Sequence, residues 1–160
     1  MKIIYMHHAQ REQNNPPTQQ DDITALGQKD AEIVASLMKE ANEKYFSIKA
    51  IYSSPFYRCK KTAEIINKKL NLPIVYDDRL NEFGSAKGET WLGLQKRVRA
   101  CIKDIVYQYG ENDGIICITS GVNVSAFIGL ANKQKPSKNA AFIGVISCSP
   151  LIFNIDKENF

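Results

Sequence analysis

Apolar and polar positions along this chain switch between two periods. Ile3, Ile4 and Tyr5 form a short apolar run that predicts a strand. A polar stretch from Gln10 to Asp22, containing Asn14, Asn15, Pro16 and Pro17, reads as a loop. Thr24 then caps a helix whose apolar positions, Ala31, Val34, Leu37, Met38 and Ala41, recur at the helical period. Residues 50–53 (AIYS) predict a second strand. Ser54-Pro55 supplies a cap and a proline at the first helical position, and the helix runs through Arg58, Thr62, Ile65 and Ile66 towards Leu70. Residues 74–76 predict a third strand. Residues 91–109 form a long helix with Leu94, Val98, Ile102 and Ile105 on one face, ended by Gly110. Residues 115–119 (IICIT) predict a fourth strand, apolar on both faces as a buried parallel strand is. Residues 124–131 predict a short helix. Residues 142–148 and 151–155 predict two closing strands, an antiparallel hairpin joined at Ser149-Pro150.

Strands that alternate with helices predict an α/β fold, a three-layer sandwich with a largely parallel central sheet flanked by helices. The 160 residues read as a single domain, 1–160. Ligands of such folds bind beyond the carboxyl ends of the strands. Three of those ends carry unusual polar groups. They are His7 and His8, then Ser53-Ser54 leading to Arg58, then Thr119-Ser120-Gly121.

Composition narrows the classes. A hydrophobic share of 44% and a charged share of 24% exclude disordered, collagen-like and coiled-coil chains. No apolar run approaches the roughly 20 residues of a membrane helix, so no membrane partner is expected. Residues 1–6 are too short for a signal-peptide core, and a cytoplasmic location is the expectation. The net charge of +4 suits an anionic small molecule. Basic residues are dispersed without an aromatic ladder, so no nucleic acid is expected. Cys59, Cys101, Cys117 and Cys148 form no CxxC pair and read as reduced, semi-buried thiols. Adjacent histidines on an extended chain point to opposite faces, so His7 and His8 seldom bind one metal together, and no metal is expected. Arg58, one turn into its helix, reads as an anion site or as an ordinary surface arginine. Glu82, in a turn-rich loop, reads by itself as an exposed carboxylate.

Taken together, the motifs resemble the histidine phosphatase superfamily, the phosphoglycerate-mutase-like proteins. Residues 4–10 (IYMHHAQ) stand where that family has a strand ending in Arg-His-Gly. Asn14 falls where many members have a phosphate-contacting asparagine. Residues 22–27 (DITALG) resemble its "LTxxG" helix start, and residues 52–64 (YSSPFYRCKKTAE) are close to "SSPLxRAxQTAE". Residues 79–82 (RLNE) resemble "RLxE", and Gly88-Glu89-Thr90 leading to Arg97-Val98 resembles "GES…RV". Residues 118–122 (ITSGV) stand where the family has "VSHGG".

The resemblance implies a metal-independent, cofactor-free phosphomonoester hydrolase. His8 is the implied nucleophile, forming a phosphohistidine, and Glu82 the implied proton donor and acceptor. Arg58 and Asn14 are the implied holders of the phosphate oxygens. The sequence departs from the family at three places: His7 stands for an arginine, Ser120 for a second histidine and Ala9 for a glycine. His7, Ser120 and the nearby Arg11 are the candidate replacements in the phosphate pocket. A preorganised donor is worth about 10²–10³ in rate. The alternative is therefore a degenerate member that binds a phosphorylated ligand or protein partner without turnover. About twenty residues separate Arg58 from Arg79, which leaves no room for a large inserted cap. An open, shallow pocket is expected, for a phosphorylated small molecule or a phosphoprotein.

Overall fold

The computed structural model describes residues 1–14, 18–133 and 144–156. Its strands are β1 (Lys2–His7), β2 (Ser47–Ser53), β3 (Ile74–Tyr76), β4 (Asp113–Thr119) and β5 (Pro150–Asn154). Its helices are α1 (Ala25–Lys44), α2 (Tyr57–Leu70), α3 (Trp91–Gln108) and α4 (Gly121–Ala131), with a 3₁₀ turn at Asp78–Leu80. The strands form one sheet in the order β3-β2-β4-β1-β5. β1, β2, β3 and β4 run parallel, and β5 pairs antiparallel with β1.

Alternation along the strands divides the interior. Tyr5, Tyr52, Ile115 and Cys117 face one side, where α3 and α4 cover them with Leu94, Val98, Ile102, Ile105 and Phe127. Ile4, Met6, Ile51, Ile116 and Ile118 face the other, against Val34, Met38, Ala63 and Ile66 of α1 and α2. Three layers result. Register then places the functional strand ends side by side, because His7 is level with Thr119 and Ser53 with Ile118.

The start of α1 follows the sequence closely. Thr24 Oγ1 accepts from Gly27 N at 3.0 Å, as an N-cap should. The glycine is required by its neighbour, since a Cβ at Gly27 would stand 2.4 Å from the backbone oxygen of Gln10. The β1 exit loop therefore lies directly on the first turn of α1.

Several boundaries differ from the sequence expectation, among them the start of β2, at Ser47 rather than residue 50. α2 starts at Tyr57 with Phe56 at its cap, not at Ser54-Pro55. Ser54 directly follows β2 and continues its ladder by one bond, its N–H donating to Ile118 O at 3.0 Å. Its Oγ instead accepts from Phe56 N and donates to Asn81 Oδ1. α3 ends because Tyr109 adopts an extended backbone, and no left-handed glycine at Gly110 is involved. α4 begins three residues earlier than the apolar pattern predicts, at Gly121. Among the described residues the closing hairpin does not form. Residues 142 and 143 lie outside the described residues, while residues 144–149 belong to no strand. This segment turns instead, with Cys148 at a φ of 60° and its N–H between the carbonyl oxygens of His7 and His8 at 3.1 and 3.2 Å. Among the described residues the open edge of β1 then takes β5 alone.

Candidate active site

His8 stands at the end of β1, almost wholly buried. Its backbone N–H donates to Thr119 O at 2.8 Å, which extends the β1–β4 ladder by one residue. The ring is fixed at both nitrogens. Nδ1–H donates to Ala9 O at 2.7 Å, so Nε2 is unprotonated and accepts from Arg58 Nε at 3.0 Å. Burial, followed by the neighbouring His7 ring, pushes the His8 pKa down to about 3. The imidazole is therefore neutral at neutral pH. Thr62 on α2 joins the two elements: its Oγ1 accepts from Ala9 N at 3.0 Å and donates to Arg58 O at 2.7 Å.

Arg58 is only 2% exposed. Besides Nε on His8, it sends Nη1 to Thr18 O at 3.0 Å and Nη2 to the Glu82 carboxylate. A buried guanidinium with this carboxylate across it holds its charge in the site. Glu82 is partly exposed and lines the cleft above His8.

The loop that carries Glu82 is held by backbone-directed bonds from three elements. Thr119 Oγ1 donates to Leu80 O at 2.5 Å. Asn123 Nδ2 donates to Asn81 O at 3.1 Å, while Asn123 Oδ1 accepts from Tyr5 OH at 2.5 Å. Arg97 on α3 donates to Arg79 O at 2.7 Å and to Glu82 O at 3.1 Å. Glu89 receives Arg97 Nε at 2.5 Å and Gly84 N at 2.9 Å. Burial alone would raise the Glu89 carboxyl, but the Arg97 bond wins and holds it below its ordinary value.

The sequence candidates reach this place to different degrees. His8, Arg58 and Glu82 converge through direct bonds. His7 lines the cleft with its ring 4.2 Å from that of His8. Ser120 is buried at the cap of α4, yet its Oγ makes no cap bond and has no partner among the described residues. Arg11 also lines the cleft, with Nη1 on Asp21 Oδ2 at 3.0 Å. Asn14 donates to Asp21 Oδ1 at 3.0 Å and so faces that carboxylate rather than His8. Asp21 is a hub that the sequence reading missed. Thr18 and Asn14 side chains donate to it and bring its pKa to about 2. Nothing in the run Gln19-Gln20-Asp21-Asp22 distinguishes it from a solvated acid. Asn123 was also missed, although a lone amide among the apolar residues of α4 is a readable signal.

The cleft has a volume of about 440 Å³ and is walled further by Gln10, Gln13, Gly121, Val122, Ser125 and Ser147. Chemically, the arrangement offers a neutral nucleophilic nitrogen, a buried guanidinium beside it and a carboxylate opposite. That set handles a tetrahedral anion.

Comparison with known proteins agrees with this geometry. The sequence pattern of the histidine phosphatase superfamily (branch 1) matches residues 3–90, more than half of the chain. PhoE of Bacillus subtilis, described as an uncharacterized phosphatase, is 40% identical over 79 residues. That match takes in 48% of this chain and only 37% of the Bacillus protein. The protein histidine phosphatase SixA, solved with tungstate, shares the fold with a TM-score of 0.75 at 15% identity, over 99% of this chain and 91% of that one. A mycobacterial glucosyl-3-phosphoglycerate phosphatase, solved with VO3, does so with a TM-score of 0.77 at 17% identity, over 94% and 90%.

Proposed function

This chain belongs to the histidine phosphatase superfamily, and on that premise we propose that it hydrolyses phosphate monoesters through a phosphohistidine on His8. One observation carries the reading. The His8 ring is locked with Nδ1–H on Ala9 O, and its lone pair at Nε2 accepts from the Arg58 guanidinium. A nucleophile and an anion-holding group therefore share one point.

The Nε2 lone pair attacks phosphorus, and the P–Nε2 bond forms as the ester P–O bond breaks. Once Arg58 Nη2 has turned from it to the phosphate, the Glu82 carboxylate takes a proton from solvent, gives it to the departing oxygen, and then takes one from the water that attacks the phosphohistidine. That second attack breaks P–N and releases phosphate. Arg58 turns its Nε and Nη2 donors from His8 and Glu82 to the phosphoryl oxygens. His7 and Ser120 complete the phosphate contacts without a fixed charge. Arg11 adds positive charge from the cleft wall, and Asn14 acts through Asp21, which both residues share. The chemistry needs no metal or cofactor, because the protein's donors neutralise the transferring group.

The open cleft admits a phosphorylated small molecule or a phosphorylated side chain. The relatives solved with tungstate and VO3 support an oxyanion ligand. A second reading, binding without turnover, is favoured by the neutral side chains at positions 7 and 120. Hydrolysis of 4-nitrophenyl phosphate separates the two. Turnover by the wild type that vanishes in His8→Ala is the expected result, while sulfate binding without any His8-dependent turnover establishes the second reading.

A further inference from the structure

Two buried side-chain atoms have no hydrogen-bond partner among the described residues, His7 Nδ1 and Ser120 Oγ. Both belong to neighbouring strand ends, since His7 is level with Thr119. Buried polar atoms are ordinarily paired, so two orphans at one sheet edge mark a place built for a third group.

The His7 ring is held on three sides. His8 meets it edge-on. Gly121 lies against it, and a Cβ there would sit 3.5 Å from Cε1 and 3.6 Å from Nδ1. The Val145 backbone accepts a hydrogen bond from the ring. Because Nδ1 has no partner, that bond uses Nε2–H, and the neutral ring carries its lone pair on Nδ1. A lone pair repels a fully ionised phosphate oxygen. It attracts one only when a proton lies between them.

Building on the phosphatase reading, we propose that His7 Nδ1 is the proton-holding member of the phosphate site, so that a tetrahedral anion binds with one proton between its oxygen and Nδ1. A monoanionic phosphate brings that proton with it. A dianion takes it from solvent. The site thus selects the singly protonated form of its ligand, where the matching arginine of the wider family would bring a fixed charge.

The charges around the ring fit this assignment. Burial, then Arg58 on α2 and Arg11 in the β1 exit loop, keep the free ring neutral. Arg11 is paired with Asp21, and Glu82 on the opposite loop is paired with Arg58. An anion seated among them reverses the balance in favour of a charged ring. His8 is a poor rival for the proton, because burial and then the neighbouring His7 ring hold its pKa down at about 3. From the segment before β5, the Cys148 thiol is pushed up to about 12 by burial and stays neutral. The α4 side contributes Ser120 and Gly121, without charge.

Sulfate is the probe, since it remains dianionic at every pH used. Calorimetry in two buffers of different ionisation enthalpy at pH 7 should show about one proton taken up per sulfate bound. The dissociation constant should rise about tenfold per pH unit between pH 6.5 and 8.5, as linkage to one proton requires. His7→Gln should remove both the uptake and the slope. His7→Arg should bind with the affinity the wild type reaches in acid, independent of pH, and either variant suffices if the other does not fold. His8→Gln should keep the uptake. The inference is overturned by sulfate binding without proton uptake, by no sulfate binding at pH 6, or by uptake that survives in His7→Gln. His8-dependent hydrolysis of 4-nitrophenyl phosphate, measured in parallel, reports on the phosphatase reading separately. A pH-independent sulfate isotherm beside such hydrolysis removes His7 alone, and full proton uptake without hydrolysis leaves His7 in place and removes turnover.

Discussion

Arg97 grips the loop of Glu82 from behind, its Nη2 donating to the Glu82 carbonyl oxygen at 3.1 Å while Nη1 donates to Arg79 O at 2.7 Å. The guanidinium thus spans the residues on either side of Leu80 and Asn81 and never touches the cleft. Glu89 fixes that guanidinium in turn, and also takes the N–H of Gly84. The Gly88-Glu89-Thr90…Arg97 motif therefore works at one remove from the chemistry. It positions the proposed proton-transfer group, Glu82, by its backbone and leaves the carboxylate free to face Arg58.

A lysine cannot reproduce this fork, because it lacks the planar set of donors. Arg97→Lys should lower kcat of aryl phosphate hydrolysis about 10-fold to 100-fold, a loss of roughly 1.4–2.7 kcal/mol in the transition state. Sulfate affinity, which depends on Arg58 and its surroundings, should stay within about twofold. A fall in sulfate affinity as large as the fall in kcat would mean that Arg97 supports the whole site and not Glu82 in particular.

Gly27 offers a test of how the cleft is built. Adding a methyl group there drives a Cβ to 2.4 Å from Gln10 O, and backbone on both sides leaves no soft atom to yield. Gly27→Ala should destabilise the protein by about 2 kcal/mol or more despite alanine's better helix propensity. For a chain of this size that lowers Tm by roughly 4–8 °C. Gln10 lines the cleft, so weaker sulfate binding should accompany the loss. An unchanged or higher Tm would show that the loop is not tied to α1 as described.

The parts of this site differed in how far the sequence exposed them. His8, Arg58 and Glu82 were legible because each stands in a local motif at a predictable strand or helix end. Arg97 was legible as a motif member but not as a clamp, because its partners are carbonyl groups that carry no sequence signal. Asp21 was illegible for a similar reason: its burial follows from a loop folding around one carboxylate. The closing hairpin failed on physical grounds. Residues 142–148 (FIGVISC) have strand composition, yet the Cys148 amide is drawn to the carbonyl oxygens of His7 and His8. Only pairing across the sheet, between residues as distant as Lys2 and Asn154, decides that β5 lies along β1.

Acid should destabilise the protein through the same imidazole that we propose as the nucleophile. The folded pKa of His8 is depressed to about 3, while the unfolded chain titrates near the ordinary value of about 6.5. Between those values the unfolded state binds more protons, so stability rises with pH. The contribution is complete above about pH 6.5 and is lost as pH falls towards about 3, at up to roughly 1.4 kcal/mol per unit. Burial depresses His7 in the same direction. Urea unfolding at pH 7.5 and pH 5 should therefore show a steeper loss in the wild type than in His8→Gln. Equal losses would place the His8 ring in solvent.

The neutral side chains at positions 7 and 120 set the last test. Ser120 caps α4 without using its Oγ, so its replacement removes no helix cap. A hydroxyl donates one neutral hydrogen bond, and charge-assisted bonds are roughly twice as strong. The difference matters most when charge redistributes on the transferring phosphoryl group. Ser120→His should therefore raise kcat/KM, and combining it with His7→Arg should raise it further. A gain of at least tenfold for the pair requires only about 1.4 kcal/mol of added transition-state stabilisation. Glu82→Gln in that background should lower the rate again, because the departing oxygen then receives no proton from the loop. A doubly substituted protein that folds, binds sulfate and shows no His8-dependent turnover would mean that the decay of the site extends beyond these two positions. Its role would then be to hold a phosphorylated ligand, with the guanidinium of Arg58 as the anchor and the His8 lone pair idle.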